Sequence, residues 1–119
     1  AKATKRVICC TGKVYYDLLE AAEKHNDTST AIVRFEQLYP LSSKQLAALK
    51  KKYSTVKEWC WVQEEPENMG AWTHIMRHCP SINWHYIGRD ESASPAVGSS
   101  KVHAKQQEII MNQAFAKLK

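Results

Sequence analysis

At 119 residues, 44% of them hydrophobic and 24% charged, the chain has the size and composition of one globular domain with a single core. Such a chain needs neither a disulfide framework nor a structural metal to fold. No apolar stretch is long enough to span a bilayer and no secretory signal pattern is visible, so the expectation is no membrane partner. The net charge of +5 comes from 17 Lys and Arg spread along the chain, with one cluster at Lys50, Lys51 and Lys52. That cluster ends a predicted helix, where cations complement the helix dipole. The expectation is therefore no nucleic-acid partner, with phosphate-bearing small ligands kept open.

Strand and helix signals alternate from end to end. Residues 6–10 (RVICC) are a short, β-branched apolar run and predict a buried strand. Thr11-Gly12 marks a turn, and 13–24 reads as a helix with Val14, Leu18, Ala21 and Ala22 on one face. After a polar loop at 26–29, residues 30–35 (TAIVRF) predict the second strand. Ser42 and Gln45 form a capping box that starts a helix running to about Lys52. Residues 56–63 (VKEWCWVQ) predict the third strand, with Trp59, Trp61 and Gln63 on one face. A loop is expected over 64–70, a helix over 71–78 and a fourth strand over 82–88. Residues 89–100, rich in Ser, Ala and Pro, read as an extended loop, and 102–118 as the last helix, with Ile110, Ala114 and Leu118 in register and Met111 beside Phe115.

This alternation implies an α/β fold, a mostly parallel sheet covered by helices on both faces with right-handed crossovers. Ligands of such sheets bind beyond the carboxyl ends of the strands. The expected edge carries Thr11-Gly12-Lys13, Arg34 and its followers, 64–70, and Arg89 onward.

Several constellations on that edge bear chemistry. Thr11-Gly12-Lys13 resembles the end of a P-loop, but Val14 replaces the Ser or Thr and no upstream Gly is present, which argues against nucleotide hydrolysis. A plain strand–helix turn is the simpler reading, and free N–H groups at a helix start still offer an anion a site. Arg34 ends a predicted buried strand, so it must be paired, by Glu36 for example, or bind a phosphate. Lys101, after Gly98-Ser99-Ser100 at a helix start, is a second candidate. Glu64, Glu65 and Glu67 crowd a predicted helix start around Pro66; no nucleophile accompanies them, so contact with a neighbouring domain outweighs acid–base work.

His74 and His78 are four apart on a helix, but Ile75 stands where a zincin has Glu and no third ligand is evident, so no metal site is expected. Trp59, Trp61, Trp72 and Trp84 belong to a core or interface rather than a base-stacking platform. Cys9, Cys10, Cys60 and Cys79 lack zinc or redox spacing and read as buried thiols in a reducing compartment. The sequon at Asn26-Asp27-Thr28 reads as chance.

These stretches together carry a family resemblance. Arg6-Val7-Ile8, the run from Cys10 to Leu18, and Val33-Arg34-Phe35-Glu36-Gln37-Leu38-Tyr39-Pro40 match. So do Trp61-Val62-Gln63-Glu64-Glu65-Pro66, Asn68-Met69-Gly70-Ala71-Trp72, Tyr86-Ile87-Gly88-Arg89, Ser94-Pro95-Ala96 and the run from Gly98 to His103. The chain resembles the C-terminal domain of the E1 component of 2-oxoglutarate dehydrogenases, thiamine-diphosphate enzymes of the transketolase-like kind.

The resemblance implies a three-layer α/β/α domain of the transketolase C-terminal type, forming one domain over 1–119. It implies a parent that decarboxylates 2-oxoglutarate in the tricarboxylic acid cycle and passes succinyl to the lipoyl domain of the E2 succinyltransferase. Thiamine diphosphate and magnesium would be held by preceding domains, so this region carries no catalytic residue of its own. It would buttress those upstream domains, through Glu64, Glu65 and Pro66, and help form a homodimer. Its place would be the bacterial cytoplasm or the mitochondrial matrix.

Some relatives look to carry an acetyl-CoA activator site here. The resemblance assigns Arg34, Ser100 and Lys101 to such a site, with Met69 and Trp72 near the corresponding loop; Gly12 joins them only as the helix start that could bind an anion. The absence of an initiator Met before Ala1 fits the expectation of a piece excised from a longer chain. The rivals are a free-standing anion- or nucleotide-binding module and the same domain of another thiamine-diphosphate enzyme.

Overall fold

A computed structural model describes residues 4–35, 43–66, 70–78, 82–89 and 100–115. Its elements are β1 (Arg6–Cys10), α1 (Val14–Lys24), β2 (Thr30–Arg34), α2 (Ser43–Lys52), β3 (Glu58–Pro66), α3 (Trp72–His78), β4 (Trp84–Arg89) and α4 (Ser100–Ala114). The four strands form one parallel sheet in the order β2-β1-β3-β4. Every residue of β1 is buried, as a central parallel strand must be, which is why it reads as an unbroken apolar run after Arg6.

Alternation along β1 and β3 sends side chains to two cores. Val7, Cys9, Trp59 and Trp61 join Tyr53, Trp72 and Ile75, with Leu46 and Leu49 of α2 packed against them. Ile8, Cys10, Cys60 and Val62 join Val14, Leu18 and Ala21 of α1 and Ile110, Ala114 and Phe115 beside or within α4. Helices α2 and α3 therefore cover one face, and α1 and α4 the other, giving the expected three layers. The tryptophans are core residues: Trp84 meets Trp59 and Trp61 edge-on at 6.0 and 6.3 Å, and Phe35 stacks on Trp61 at 6.1 Å.

The amino ends of the strands are tied by a buried charge. Arg6, 5% exposed, forms an ion pair with Glu58 at 2.8 Å and donates through Nη1 to the carbonyl of Ala114, the last residue of α4. One guanidinium thus joins β1 and β3 and satisfies an orphan carbonyl at a helix end. Next to it, Asp27 accepts hydrogen bonds from the backbone N–H groups of Ser29 and Thr30 at 2.8 and 2.9 Å and from both hydroxyls, setting the entry to β2. Burial works to raise the Asp27 pKa; the hydrogen bonds from Thr30 and Ser29 outweigh it and hold the carboxyl below its ordinary 3.8.

Several boundaries differ from those read in the sequence, among them the start of β3, at Glu58 rather than 56. β3 continues to Pro66 through residues expected in a loop, because Pro66 is in register with Arg89 of β4 across an irregular stretch. Glu64 and Glu65 therefore sit on a strand rather than at a helix start. β4 begins at Trp84 rather than at 82, because Trp84 N–H turns back onto the Ile82 carbonyl at 3.1 Å. α4 spans Ser100–Ala114, against 102–118 in the sequence reading, and Leu118 lies outside the described residues.

Candidate functional site at the carboxyl edge

Parallel strands bring Cys10, Arg34, Pro66 and Arg89 to one edge, as expected. The strand order reverses at β1: the chain goes first to β2 on one side, then crosses to β3 on the other. The loop between β1 and α1 therefore opens at the switch point where such sheets place ligands. Gly12 turns there at φ 77°, in the left-handed region that favours glycine, and a methyl group on it would meet open space. Its backbone conformation, not a close approach, requires glycine. Thr11 Oγ1 donates to the Phe35 carbonyl at 2.9 Å, tying this loop to the end of β2.

Arg34 lies beside the same loop. Its guanidinium sits over the rings of Tyr15 and Tyr16, at 5.8 and 5.5 Å from their centroids, and donates to Tyr16 Oη at 3.3 Å. Arg34 Nε has no hydrogen-bond partner, and no carboxylate pairs with the guanidinium among the described residues. Glu36, the partner offered by the sequence, lies outside them. Among the described residues, this half-buried cation is held by rings rather than by an acid. Beneath it, burial pushes the Cys10 thiol up to about 12, with Arg34 opposing only in part, and pushes Cys60 up to about 11. Both are free thiols held protonated, hence poor nucleophiles.

The end of β3 is built around Gln63, 3% exposed. Its Oε1 accepts from Trp61 Nε1 at 2.9 Å and from the Trp72 N–H at 3.1 Å, and its Nε2 donates to the Glu65 carbonyl at 3.2 Å. Tyr86 Oη donates to the same carbonyl at 3.2 Å. Two close approaches hold this stretch. A methyl group on Gly88 would stand 2.6 Å from Tyr86 Oη and 2.7 Å from the Gln63 carbonyl oxygen, and one on Gly70 would stand 2.9 Å from Glu65 Oε2. Glu64 Oε1 accepts from Gln107 Nε2 at 3.0 Å, and the same amide nitrogen donates to Asp17 Oδ2 at 2.9 Å. One amide thus links α4, β3 and α1.

The structure brings Gly12 and Arg34 together, and groups Glu64 and Glu65 with the Gln63 network. Trp72 is buried, its ring against Tyr86 at 5.3 Å, so its aromatic face already belongs to the core. Ser100 and Lys101 lie in the first turn of α4, with side chains outside the described set, as is Met69. Among the described residues, no three of His, Cys, Asp and Glu stand together to hold a metal ion.

Sequence reasoning missed Arg6, Gln63 and Gln107 as organising residues. The signal for Arg6 and Gln63 was a polar residue at the end of an otherwise buried strand face. Nothing local signalled Gln107.

The family described as 2-oxoglutarate dehydrogenase C-terminal matches residues 1–115. This chain belongs to that family. The match takes in every element from β1 to α4, so Gly12, Arg34, Gln63 and Gln107 all lie inside the 2-oxoglutarate dehydrogenase C-terminal region. Among its relatives is the 2-oxoglutarate dehydrogenase E1 component of Rickettsia felis, 49% identical over 118 residues, covering 92% of this chain and 12% of the relative. The protein of that name from Cupriavidus necator is 44% identical over 124 residues, covering all of this chain and 13% of the relative. The oxoglutarate dehydrogenase of Buchnera aphidicola is 39% identical over 119 residues, covering 96% and 13%. The chain thus spans only 12–13% of the length of these relatives. No helix among the described residues is long and apolar enough to cross a membrane.

Proposed function

We propose that this region is the structural and regulatory C-terminal domain, folding over 1–119 as one unit, of a 2-oxoglutarate dehydrogenase E1 component. The parent would decarboxylate 2-oxoglutarate with thiamine diphosphate and magnesium and pass the succinyl group to lipoyl-E2. It would act as a homodimer in the bacterial cytoplasm or mitochondrial matrix. The observation that carries this reading is 39–50% identity along most of the chain to proteins named for that activity. Among the described residues no three of His, Cys, Asp and Glu stand together, so none is assigned to magnesium in this reading. In this proposal the cofactor and its metal belong to preceding domains, and no chemical step is placed on this region.

Its own work would then be contact and regulation. The acid-bearing end of β3 runs five residues past the last pairing with β1, Cys9 with Trp61, and is stiffened by Gln63, which suits a surface seated against an upstream domain. Arg34 on its two tyrosines, beside the Gly12 turn, suits the phosphates of an effector such as acetyl-CoA. Ser100, Lys101 and Met69 are further candidates, and Trp72 would contribute by shaping the loop before α3.

The test is an assay of the full-length protein with thiamine diphosphate and magnesium. It should reduce an artificial electron acceptor in a 2-oxoglutarate-dependent manner, and a protein that does not would sink the assignment. Acetyl-CoA should raise the rate, and Arg34→Ala should abolish that rise while sparing the basal rate. No heat and no rate change on titrating acetyl-CoA would remove the regulatory half alone.

A further inference from the structure

A groove of about 640 Å³ runs between α1 and α4, on the outer surface rather than at the carboxyl edge. Its lining includes Asp17, Glu20, Ala21, Lys24, Glu108 and Met111. Three carboxylates face a single ammonium there, in a chain whose overall charge is +5. With the His25 imidazole neutral, the lining is net acidic, opposite in sign to the chain as a whole, and favours a cation.

The lining also says what kind of cation fits. The volume falls within the range of about 300–1,000 Å³ typical of ligand sites, far more than a bare ion needs. The partly buried Met111 adds apolar surface, which suits the methylene stem of a lysine whose head reaches carboxylates at the rim. Asp17 is held in place, because Gln107 fastens it to Glu64 at the end of β3. Glu20 is easily released: its pairing with Lys24, at 3.5 Å one helical turn away, joins two well-exposed side chains and is of little net worth.

We propose that the α1–α4 groove docks a basic, lysine-bearing segment of a partner protein. Lysine stems lie on Met111, ammonium heads meet Glu20 and Glu108, and Asp17 forms the fixed wall. Because Gln107 bridges Asp17 and Glu64, an occupied groove is mechanically joined to the acid-bearing end of β3.

The test uses the full-length protein and a ten-residue peptide of alternating lysine and alanine, with a glutamate–alanine peptide as control, followed by calorimetry. The lysine peptide should bind, the control should not, and binding should weaken steeply as salt rises. The double variant Glu20→Gln, Glu108→Gln removes two exposed charges and should weaken binding at least tenfold with an unchanged thermal midpoint. Asn112→Lys, which adds an opposing charge at another exposed lining position, should weaken it by a similar factor and serves if the double variant does not fold. No heat at millimolar lysine peptide overturns the proposal, as does equal affinity in wild type and variants.

Discussion

Two arginines sit at opposite ends of adjacent strands, and their surroundings differ completely. Arg6 opens β1, is almost fully buried, and spends its charge on Glu58 and on the last carbonyl of α4. Arg34 closes β2, is half-buried, and rests on two tyrosine rings without a carboxylate among the described residues. A buried cation with an acid partner holds the fold together, whereas a cation propped on rings stays available to a ligand. Among the described residues, an ion pair ties the amino edge of the sheet, while rings alone hold the cation at the carboxyl edge.

The sharpest way to break this contrast is Arg6→Met. Removing one partner of a buried pair leaves Glu58 and the Ala114 carbonyl without their donor, and unfolding by urea should show a loss of about 3 kcal/mol. That is the low end for a buried pair, since Glu58 retains 29% side-chain exposure. A loss under about 0.5 kcal/mol would mean that the amino edge is not a clamp at all.

Gln63→Leu probes whether the carboxyl edge has a rigid part of its own. It orphans Trp61 Nε1 and the Trp72 N–H, and the expected cost is about 2 kcal/mol in the same measurement. Arg34→Ala should cost only about 0.5–1 kcal/mol, the worth of an exposed cation–π contact. A loss as large as that of Arg6→Met would erase the distinction between the two arginines.

The smallest effect is acid dependence at Asp27. Its folded pKa lies below the unfolded value, so it contributes stability above the ordinary carboxylate pKa of 3.8, lost as pH falls through the folded value. Asp27→Asn should lower stability at neutral pH without changing its slope there, and flatten stability against pH below about 4. An unaltered acid limb would show that this cluster does not feel the fold.

Much of the fold was legible because buried parallel strands announce themselves as short β-branched runs, and Arg6–Cys10 and Thr30–Arg34 did so. The end of β3 was not, since Glu and Pro are poor strand formers and only its pairing with β4 overrides them. Arg34 was legible as a charge in a buried run. Its cradle of Tyr15 and Tyr16 was not, because it forms only when α1 folds back over β2. Gln107 was invisible for the same kind of reason: its partners stand 90 and 43 residues away, and no local pattern encodes them.

The bond between Arg6 and Ala114 has a consequence for synthesis. The two residues are 108 positions apart, so β1 is locked by a turn made long after it. At the usual pace of about 5–20 residues per second, the Arg6 guanidinium waits roughly 5–22 s on the ribosome for its carbonyl. For roughly the first half of that interval β1 also lacks its neighbour β3, and its apolar flanks are open.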